Sequence, residues 1–147
     1  MLTTDIKSLL PHREPFLFVD AIISADDKGC VCEHTFTENE FFFKGHFPEY
    51  PVVPGVILCE TMAQAGGVIV LNGVENPEEY STYFLRIDNV RFKRKVVPGD
   101  TMQIEGHIIE PVRRGIASII GKIFVGGQLA CEATLMAQIV KKQKTEG

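Results

Sequence analysis

The sequence lacks any run of 18 consecutive apolar residues, and its first 15 residues, MLTTDIKSLLPHREP, lack the apolar segment of a signal peptide. A helix that crosses a membrane needs about 20 predominantly apolar residues. We therefore expect no membrane association, and the simplest interpretation of both absences is a cytoplasmic protein.

The sequence also contains fewer basic than acidic residues. Lysine and arginine together number 15 against 19 acidic residues, which gives a net charge of −4 and an isoelectric point near 5.6. Proteins that bind nucleic acids usually carry a basic footprint. We therefore expect no nucleic-acid partner, and any basic patch must be local.

Cysteine is sparse, and its spacing is not that of a disulfide framework. Four cysteines occur, with no C-x-x-C pair among them. The segment CVCEH would place Cys30, Cys32 and His34 on one face of a strand, where they could hold a metal ion. Zinc sites normally have a fourth ligand and a turn between ligands, so we expect buried reduced thiols and no metal site.

The length of 147 residues and the hydrophobic content of 45% fit one globular domain over residues 1–147. Its last residues, KKQKTEG at 141–147, are expected to form a polar, flexible tail. A short helix is expected at TTDIKSLLP, capped by Thr3 or Thr4 and ended by Pro11. Strands are predicted over six segments: 16–25, 30–37, 82–96, 101–110, 116–125 and 128–140.

The segment GVILCETMAQAGGVIVL predicts a helix over residues 55–71, about 25 Å long at 1.5 Å per residue. Its only polar side chains are those of Glu60, Thr61 and Gln64. A helix that is apolar on all sides is normally buried, so the strands must wrap around it. The sequence therefore predicts an α+β hot-dog fold, in which a curved antiparallel sheet of five to six strands encloses a long central helix.

Glu60 is the only acidic residue of this helix. A carboxylate in apolar surroundings is costly unless it is paired or hydrogen-bonded. Gln64 lies one turn later on the same face, so the two side chains could form a polar stripe along a cavity. A structural, paired carboxylate remains the alternative interpretation.

His46 lies between Gly45 and Phe47, in the middle of a loop over residues 39–54 that three prolines hold extended. Histidine is the commonest general base, although an isolated histidine is more often structural. The flanking residues favour a backbone that holds the ring in place. The other three histidines, His12, His34 and His107, have no such setting and are interpreted as structural.

The start of the helix, Pro54-Gly55, presents free backbone N–H groups at the positive end of the helix dipole. Glycine also allows close approach of a ligand to the backbone, so this position could hold a developing oxyanion. A base, an acid and an oxyanion site together favour proton abstraction next to a carbonyl with loss of a leaving group.

Four segments carry a family resemblance: LLPHREPFLFVD (9–20), FKGHFPEYPVVPGVILCETMAQAGG (43–67), FLRIDNVRFKRKVVPGD (84–100) and GGQLACEATL (126–135). In this order they resemble the motifs of the (3R)-hydroxyacyl-[acyl-carrier-protein] dehydratases of bacterial fatty acid synthesis, the FabZ type. The resemblance implies a hot-dog fold and a homodimer with joined sheets and two active sites at the subunit interface. It also implies that a homohexamer, a trimer of dimers, is common.

The reaction that the resemblance implies is loss of water from a (3R)-3-hydroxyacyl thioester on acyl carrier protein, giving the trans-2-enoyl thioester, with no metal or organic cofactor. His46 matches the family's histidine, which takes the C2 proton, and Glu60 matches the acid that protonates the departing 3-hydroxyl. Gly55, helped by Val56, matches the N–H site for the thioester carbonyl. Tyr83 matches a tyrosine near the mouth of the substrate tunnel, and Gln64 is kept as a substrate-binding candidate.

Two positions depart from the family pattern. Thr61 stands where alanine is common, and Glu14 where tyrosine or phenylalanine is common. They leave open a dehydratase of a specialised acyl pathway, such as polyene synthesis. Related dehydratase-isomerases carry aspartate in place of Glu60, which argues against isomerisation.

Acyl carrier protein is acidic, so the resemblance also implies a local basic patch. Arg86, Arg91, Lys93, Arg94 and Lys95 lie close together in the sequence, and Arg91, Arg94 and Lys95 are our candidates for contact with the carrier. Alternate residues of a strand face opposite sides, so not all of these side chains can join one patch. A solvated strand face is the alternative.

Three other functions fit parts of the pattern. A hot-dog acyl thioesterase would also bind an acyl thioester but would release free thiol, and a hydratase dependent on coenzyme A would act on a different carrier. A scaffold or acyl-binding subunit would be expected to lack His46 or Glu60, and both are present.

Overall fold

The structure, a computed structural model, describes residues 6–142. Helix α1 (Ile6–Leu9) is a single turn, and helix α2 (Gly55–Asn72) has 18 residues. The strands are β1 (Ala21–Ala25), β2 (Gly29–Thr35), β3 (Tyr80–Phe92), β4 (Thr101–Ile108), β5 (Ile116–Val125) and β6 (Gln128–Lys141). The cap expected at Thr3 or Thr4, and residues 143–147 of the predicted tail, lie outside the described residues.

The six strands form one antiparallel sheet in the order β1-β2-β4-β5-β6-β3. Helix α2 packs against the central strands of this sheet, chiefly β2, β4, β5 and β6. Strand β5 alternates between buried and less buried residues, so its inward side chains meet the helix. This arrangement confirms the predicted hot-dog fold.

Helix and sheet approach closely because glycines lie at their contact. A Cβ atom on Gly66 of α2 would collide with Cδ1 of Ile119 on β5. In the opposite direction, a Cβ on Gly121 of β5 would lie 2.9 Å from Cβ of Met62. These glycines allow α2 to lie directly on the sheet. The distance between helix and sheet in turn sets how far the α2 side chains that face the sheet are buried.

Helix α2 is long and apolar enough to cross a membrane, by length and a mean hydropathy of 1.4 alone. However, 67% of it is buried inside the protein, which is what the core helix of a globular domain shows. A helix that a sheet encloses is expected to be both apolar and buried, as α2 is.

The largest differences from the predicted elements lie at three places. Strand β1 begins at Ala21 rather than at residue 16, because the backbone of Phe16 and Phe18 bonds to the side chain of Gln64 instead of to a strand. Strand β3 ends at Phe92 rather than at residue 96, since the next N–H groups turn to the Ala130 carbonyl. The loop over 39–54 includes a 3-10 turn at Phe41–Lys44 that the proline pattern does not predict.

The edge strand β3 exposes several large apolar side chains: Tyr83, Phe84, Leu85, Ile87 and Phe92. Within the described part of the chain its only sheet neighbour is β6, so its outer edge is unpaired. A long, apolar, unpaired edge strand is a template for pairing with another chain.

Candidate active site

Helix α2 begins at Gly55, and its first-turn hydrogen bonds run from Ile57 and Leu58 to the Pro54 carbonyl. The N–H groups of Gly55 and Val56 precede these bonds and point toward the start of the helix. The ring of Phe92 lies against Gly55, where a Cβ would be 2.7 Å from Cζ of that ring. The Val56 side chain is 76% exposed, so this end of the helix lies at the surface.

His46 is held by the loop that leads to this helix. Its Nδ1–H donates to the Val52 carbonyl at 2.9 Å, while the Val52 N–H donates to the His46 carbonyl at 3.1 Å. The imidazole stacks on Phe47 with ring centroids 4.1 Å apart. Because Nδ1 carries the proton, Nε2 presents a lone pair, which is the tautomer that a general base requires.

A surface cleft, here called the His46 cleft, is lined by His46, Gly55, Phe92, Lys93, Arg94 and Lys95, among others. The predicted base, His46, and the predicted oxyanion position, Gly55, therefore line the same cleft. Basic side chains from the segment after β3 lie on its rim.

Glu60 lies one and a half turns further along α2 and lines a second space, here called the Glu60 cavity. Other residues of its wall are His12, Ala63, Gly66, Tyr83 and Ile139. Tyr83 and Glu60 thus line the same cavity. His46 and Glu60 line different spaces within one chain.

Gln64 is only 1% exposed and makes its contacts with protein groups. Its Nε2 donates to the Glu60 carboxylate and to the Phe16 carbonyl, both at 2.9 Å, and its Oε1 accepts from the Phe18 N–H at 2.7 Å. The structure thus places Gln64 behind Glu60, as a link between α2 and the segment before β1, rather than on the wall of the cavity.

His12, which was interpreted as structural from the sequence, lies beside Glu60. Its Nε2 is 3.4 Å from Oε2 of Glu60, and both side chains are largely buried. The available signal was its position in the segment LLPHREPFLFVD, one of the four that carry the resemblance.

The candidate carrier-contact residues separate into two groups. Arg91 pairs in register with Glu132 on β6 and lines a different depression from that of Arg94 and Lys95. The Arg94 guanidinium lies 3.7 Å from the Asp100 carboxylate and donates to the Val125 and Lys95 carbonyls. Lys95 is exposed on the rim of the His46 cleft. Lys93, which is not among the three residues predicted to contact the carrier, is exposed there too.

The two departures from the family pattern lie away from both spaces. Thr61 is buried, and its hydroxyl donates to the Ile57 carbonyl of its own helix at 2.7 Å. Glu14 is exposed and pairs with Lys7 at 3.0 Å.

All four cysteines are free and buried, which confirms the prediction of buried thiols. A hydrogen bond with Cys32, together with burial, raises the pKa of Cys30, and burial raises the pKa of Cys131 to about 12. His34 donates from Nδ1 to Asp20 at 2.7 Å rather than joining the cysteines. Among residues 6–142 no group of three or more His, Cys, Asp or Glu residues is arranged to hold a metal ion.

A long helix on a six-stranded antiparallel sheet is the architecture of a hot-dog protein. The family model for the FabA-like domain matches residues 10–134, and the chain belongs to this family.

Curated relatives agree with this family. The chain is 45% identical over 139 residues to the 3-hydroxyacyl-[acyl-carrier-protein] dehydratase FabZ of Coxiella burnetii, covering 92% of this chain and 97% of that protein. It is 52% identical over 138 residues to the bifunctional enzyme LpxC/FabZ of Bacteroides thetaiotaomicron, covering 94% of this chain. The chain spans only 30% of the length of that bifunctional relative. These relatives confirm the FabZ-type resemblance.

Solved structures agree on the fold. The dehydratase heterocomplex ApeI:P from Xenorhabdus doucetiae has a chain that matches with a TM-score of 0.77 at 22% identity, covering 96% of this chain and 93% of that one. A hypothetical thioesterase from Streptococcus pneumoniae, solved with coenzyme A, matches with a TM-score of 0.60 at 14% identity, covering 84% of this chain and 90% of that one. At these identities the likeness concerns the fold alone.

Proposed function

We propose that this chain removes water from (3R)-3-hydroxyacyl thioesters carried on acyl carrier protein, giving trans-2-enoyl thioesters for type II fatty acid biosynthesis. The observation that carries the proposal is the pair of side chains His46 and Glu60, each held by a hydrogen bond and each lining a cleft or cavity. The names of the relatives that the chain matches over most of its length support the same reaction.

In the proposed reaction, Nε2 of His46 takes the proton from C2 of the substrate, because its Nδ1–H is already committed to the Val52 carbonyl. The N–H groups at Gly55 and Val56 stabilise the negative charge that develops on the thioester oxygen. Glu60 delivers a proton to the 3-hydroxyl as the C3–O bond breaks, so the hydroxyl leaves as water. A final proton transfer from His46 to Glu60, through solvent, restores both groups.

The proposal includes a homodimer in which His46 of one subunit faces Glu60 of the other. Two features support it: the two side chains line different spaces in one chain, and strand β3 beside them has an apolar edge that no strand of residues 6–142 pairs with. A two-fold axis at this edge would extend the sheet and close both spaces at once. A hexamer of three such dimers remains part of the proposal, as does a cytoplasmic location.

The proposal that acyl carrier protein is the partner rests on the charge of the residues around the His46 cleft. Lys93 and Lys95 lie on the rim of the His46 cleft in a protein whose net charge is −4. Such a local basic rim suits an acidic carrier that delivers a thioester into the cleft.

The reaction is tested with (3R)-3-hydroxybutyryl and longer acyl groups on acyl carrier protein. We expect a rise in enoyl-thioester absorbance with no release of free thiol. Thiol release without an absorbance change would identify a thioesterase, and turnover on coenzyme A thioesters alone would identify a hydratase dependent on coenzyme A. Either result would overturn the proposal.

A further inference from the structure

The two oxygens of the Glu60 carboxylate have different surroundings. Gln64 Nε2 donates to Oε2 at 2.9 Å, and His12 Nε2 lies 3.4 Å from the same atom. Both protein contacts thus converge on Oε2. The carboxylate is held through one oxygen, while its other oxygen, Oε1, can turn toward the cavity.

The protonation of the His12 ring follows from its two nitrogens. Nδ1 is buried and has no hydrogen-bond partner among the described residues. In a neutral imidazole one nitrogen carries the proton and the other accepts. A buried N–H without an acceptor costs free energy, so the proton belongs on Nε2, where it meets the carboxylate.

The backbone around His12 is fixed by its neighbours. The Arg13 guanidinium donates to the carbonyls of Lys7, Leu10 and His12 at 2.8, 2.8 and 2.6 Å. Leu10 is buried, and its Cδ2 lies close to Gly67 of α2, where a Cβ would be 3.2 Å away. The segment 10–13 is therefore anchored on the same helix that carries Glu60.

We propose that His12 is a positioning residue that acts with Gln64 to hold Oε2 of Glu60, so that Oε1 faces the leaving group. This inference rests on the proposed function, in which Glu60 protonates the departing hydroxyl. Gln64 donates a hydrogen bond to Oε2, and Nε2 of His12 faces the same oxygen at 3.4 Å, so together they restrict rotation of the carboxyl group. A misaligned acid lowers the rate without changing substrate affinity. The distance of 3.4 Å allows the His12 contact to tighten when a substrate is bound.

The test compares three substitutions at one site. His12→Ala removes the donor, His12→Phe keeps ring volume without the donor, and His12→Gln places an amide N–H near the position of Nε2. We expect kcat to fall about tenfold or more for His12→Ala and His12→Phe, with KM nearly unchanged, and to recover in large part for His12→Gln.

A surface cluster of the same composition provides the control. On β4, Glu105 accepts from Gln103 at 2.9 Å and lies 3.7 Å from His107. His107→Ala removes a histidine beside a glutamate that does not line the Glu60 cavity, and we expect it to leave kcat unchanged.

A double substitution separates positioning from a general loss of structure. If His12 acts only through Glu60, His12→Ala should have little further effect on kcat in the Glu60→Gln background, whereas independent effects would multiply. Full activity of His12→Ala, an effect confined to KM, failure of rescue by His12→Gln, or multiplying effects would each overturn the inference. An inactive wild-type protein would instead overturn the proposed function, so the two failures are distinguishable.

Discussion

His46 and Glu60 owe their proposed roles to single hydrogen bonds. The bond from His46 to the Val52 carbonyl fixes which ring nitrogen is free, and the bond from Gln64 fixes one oxygen of Glu60. Neither bond belongs to a helix or a strand ladder, so each can be altered without unfolding the domain. Substitution therefore separates their chemistry from their part in stability.

We predict that His46→Ala and Glu60→Gln each lower turnover by about 10² or more, the scale of losing a general acid or base. Thermal stability should change little, or rise, because residues placed for function are often not optimal for stability. Glu105→Gln is the matched control, since that glutamate also contacts a glutamine and a histidine. Retained activity with a large loss of stability would support a structural role instead.

Asp20 gives a prediction for acid stability. Burial by itself would raise the pKa of Asp20, but hydrogen bonds from His34 and the Thr35 N–H outweigh it and lower that pKa. A carboxyl group with a lowered folded-state pKa adds stability above its unfolded pKa, near 3.9, and this stability is lost as pH falls through the folded value.

We therefore expect the melting temperature of the wild type to fall between about pH 5 and pH 2, partly through Asp20. The variant Asp20→Asn keeps hydrogen-bonding capacity but does not titrate, so its melting temperature should fall less over the same range. Parallel curves for the two proteins, measured by circular dichroism, would show that Asp20 does not contribute to acid unfolding.

At the scale of elements, the contact of α2 with β5 depends on the absence of a side chain at residue 66. Gly66→Ala should lower stability by roughly 1–3 kcal/mol, the usual cost of overpacking a core, because the new methyl group meets Ile119. The double variant Gly66→Ala/Ile119→Val also removes Cδ1 of Ile119, the atom that the new methyl group would meet, and should recover part of the lost stability. Gly73→Ala, with ordinary spacing around it, is the control for helix α2. Equal melting temperatures for all four proteins would contradict this view of the interface.

The segment that follows β3 gives a prediction for carrier recognition. Lys95→Glu should raise KM for carrier-linked substrate several-fold and weaken its dependence on salt, because a rim charge acts mainly on association. A short thioester analogue without the carrier should be little affected. Arg91→Glu should have a smaller effect, since Arg91 lies in another depression. Equal changes in KM on both substrates would exclude a docking role for Lys95.

At the scale of the whole molecule, the proposed site is complete only when two subunits meet. Refolding an equal mixture of His46→Ala and Glu60→Ala chains makes half the dimers mixed, and each mixed dimer has one intact site and one doubly altered site. About a quarter of all sites should then be active, from two-fold symmetry alone. Activity is measured as dehydration, and heterodimers are verified by mass. No recovery in a mixture that contains heterodimers would place both residues in one subunit's site.

Much of the fold follows from patterns that are local in the sequence. The apolar segment GVILCETMAQAGGVIVL specifies a buried helix, and short polar turns between alternating segments specify antiparallel strands. The ends of β1 and β3 could not be predicted in this way. They depend on the side chain of Gln64 and on the Ala130 carbonyl, both of which are distant in sequence.

The candidate site, like the fold, has some features that follow from local sequence and others that depend on contacts between distant segments. The candidate residues can be recognised from local sequence, since His46, Glu60 and Gly55 stand out by their neighbours and by the motif that they share. The groups that surround them follow only from the folded arrangement. It placed His12 and Gln64 on one oxygen of Glu60, Lys93 on the His46 cleft and Arg91 elsewhere. The identity of a side chain is given by one position in the sequence, whereas its contacts depend on packing between segments that are far apart in the chain.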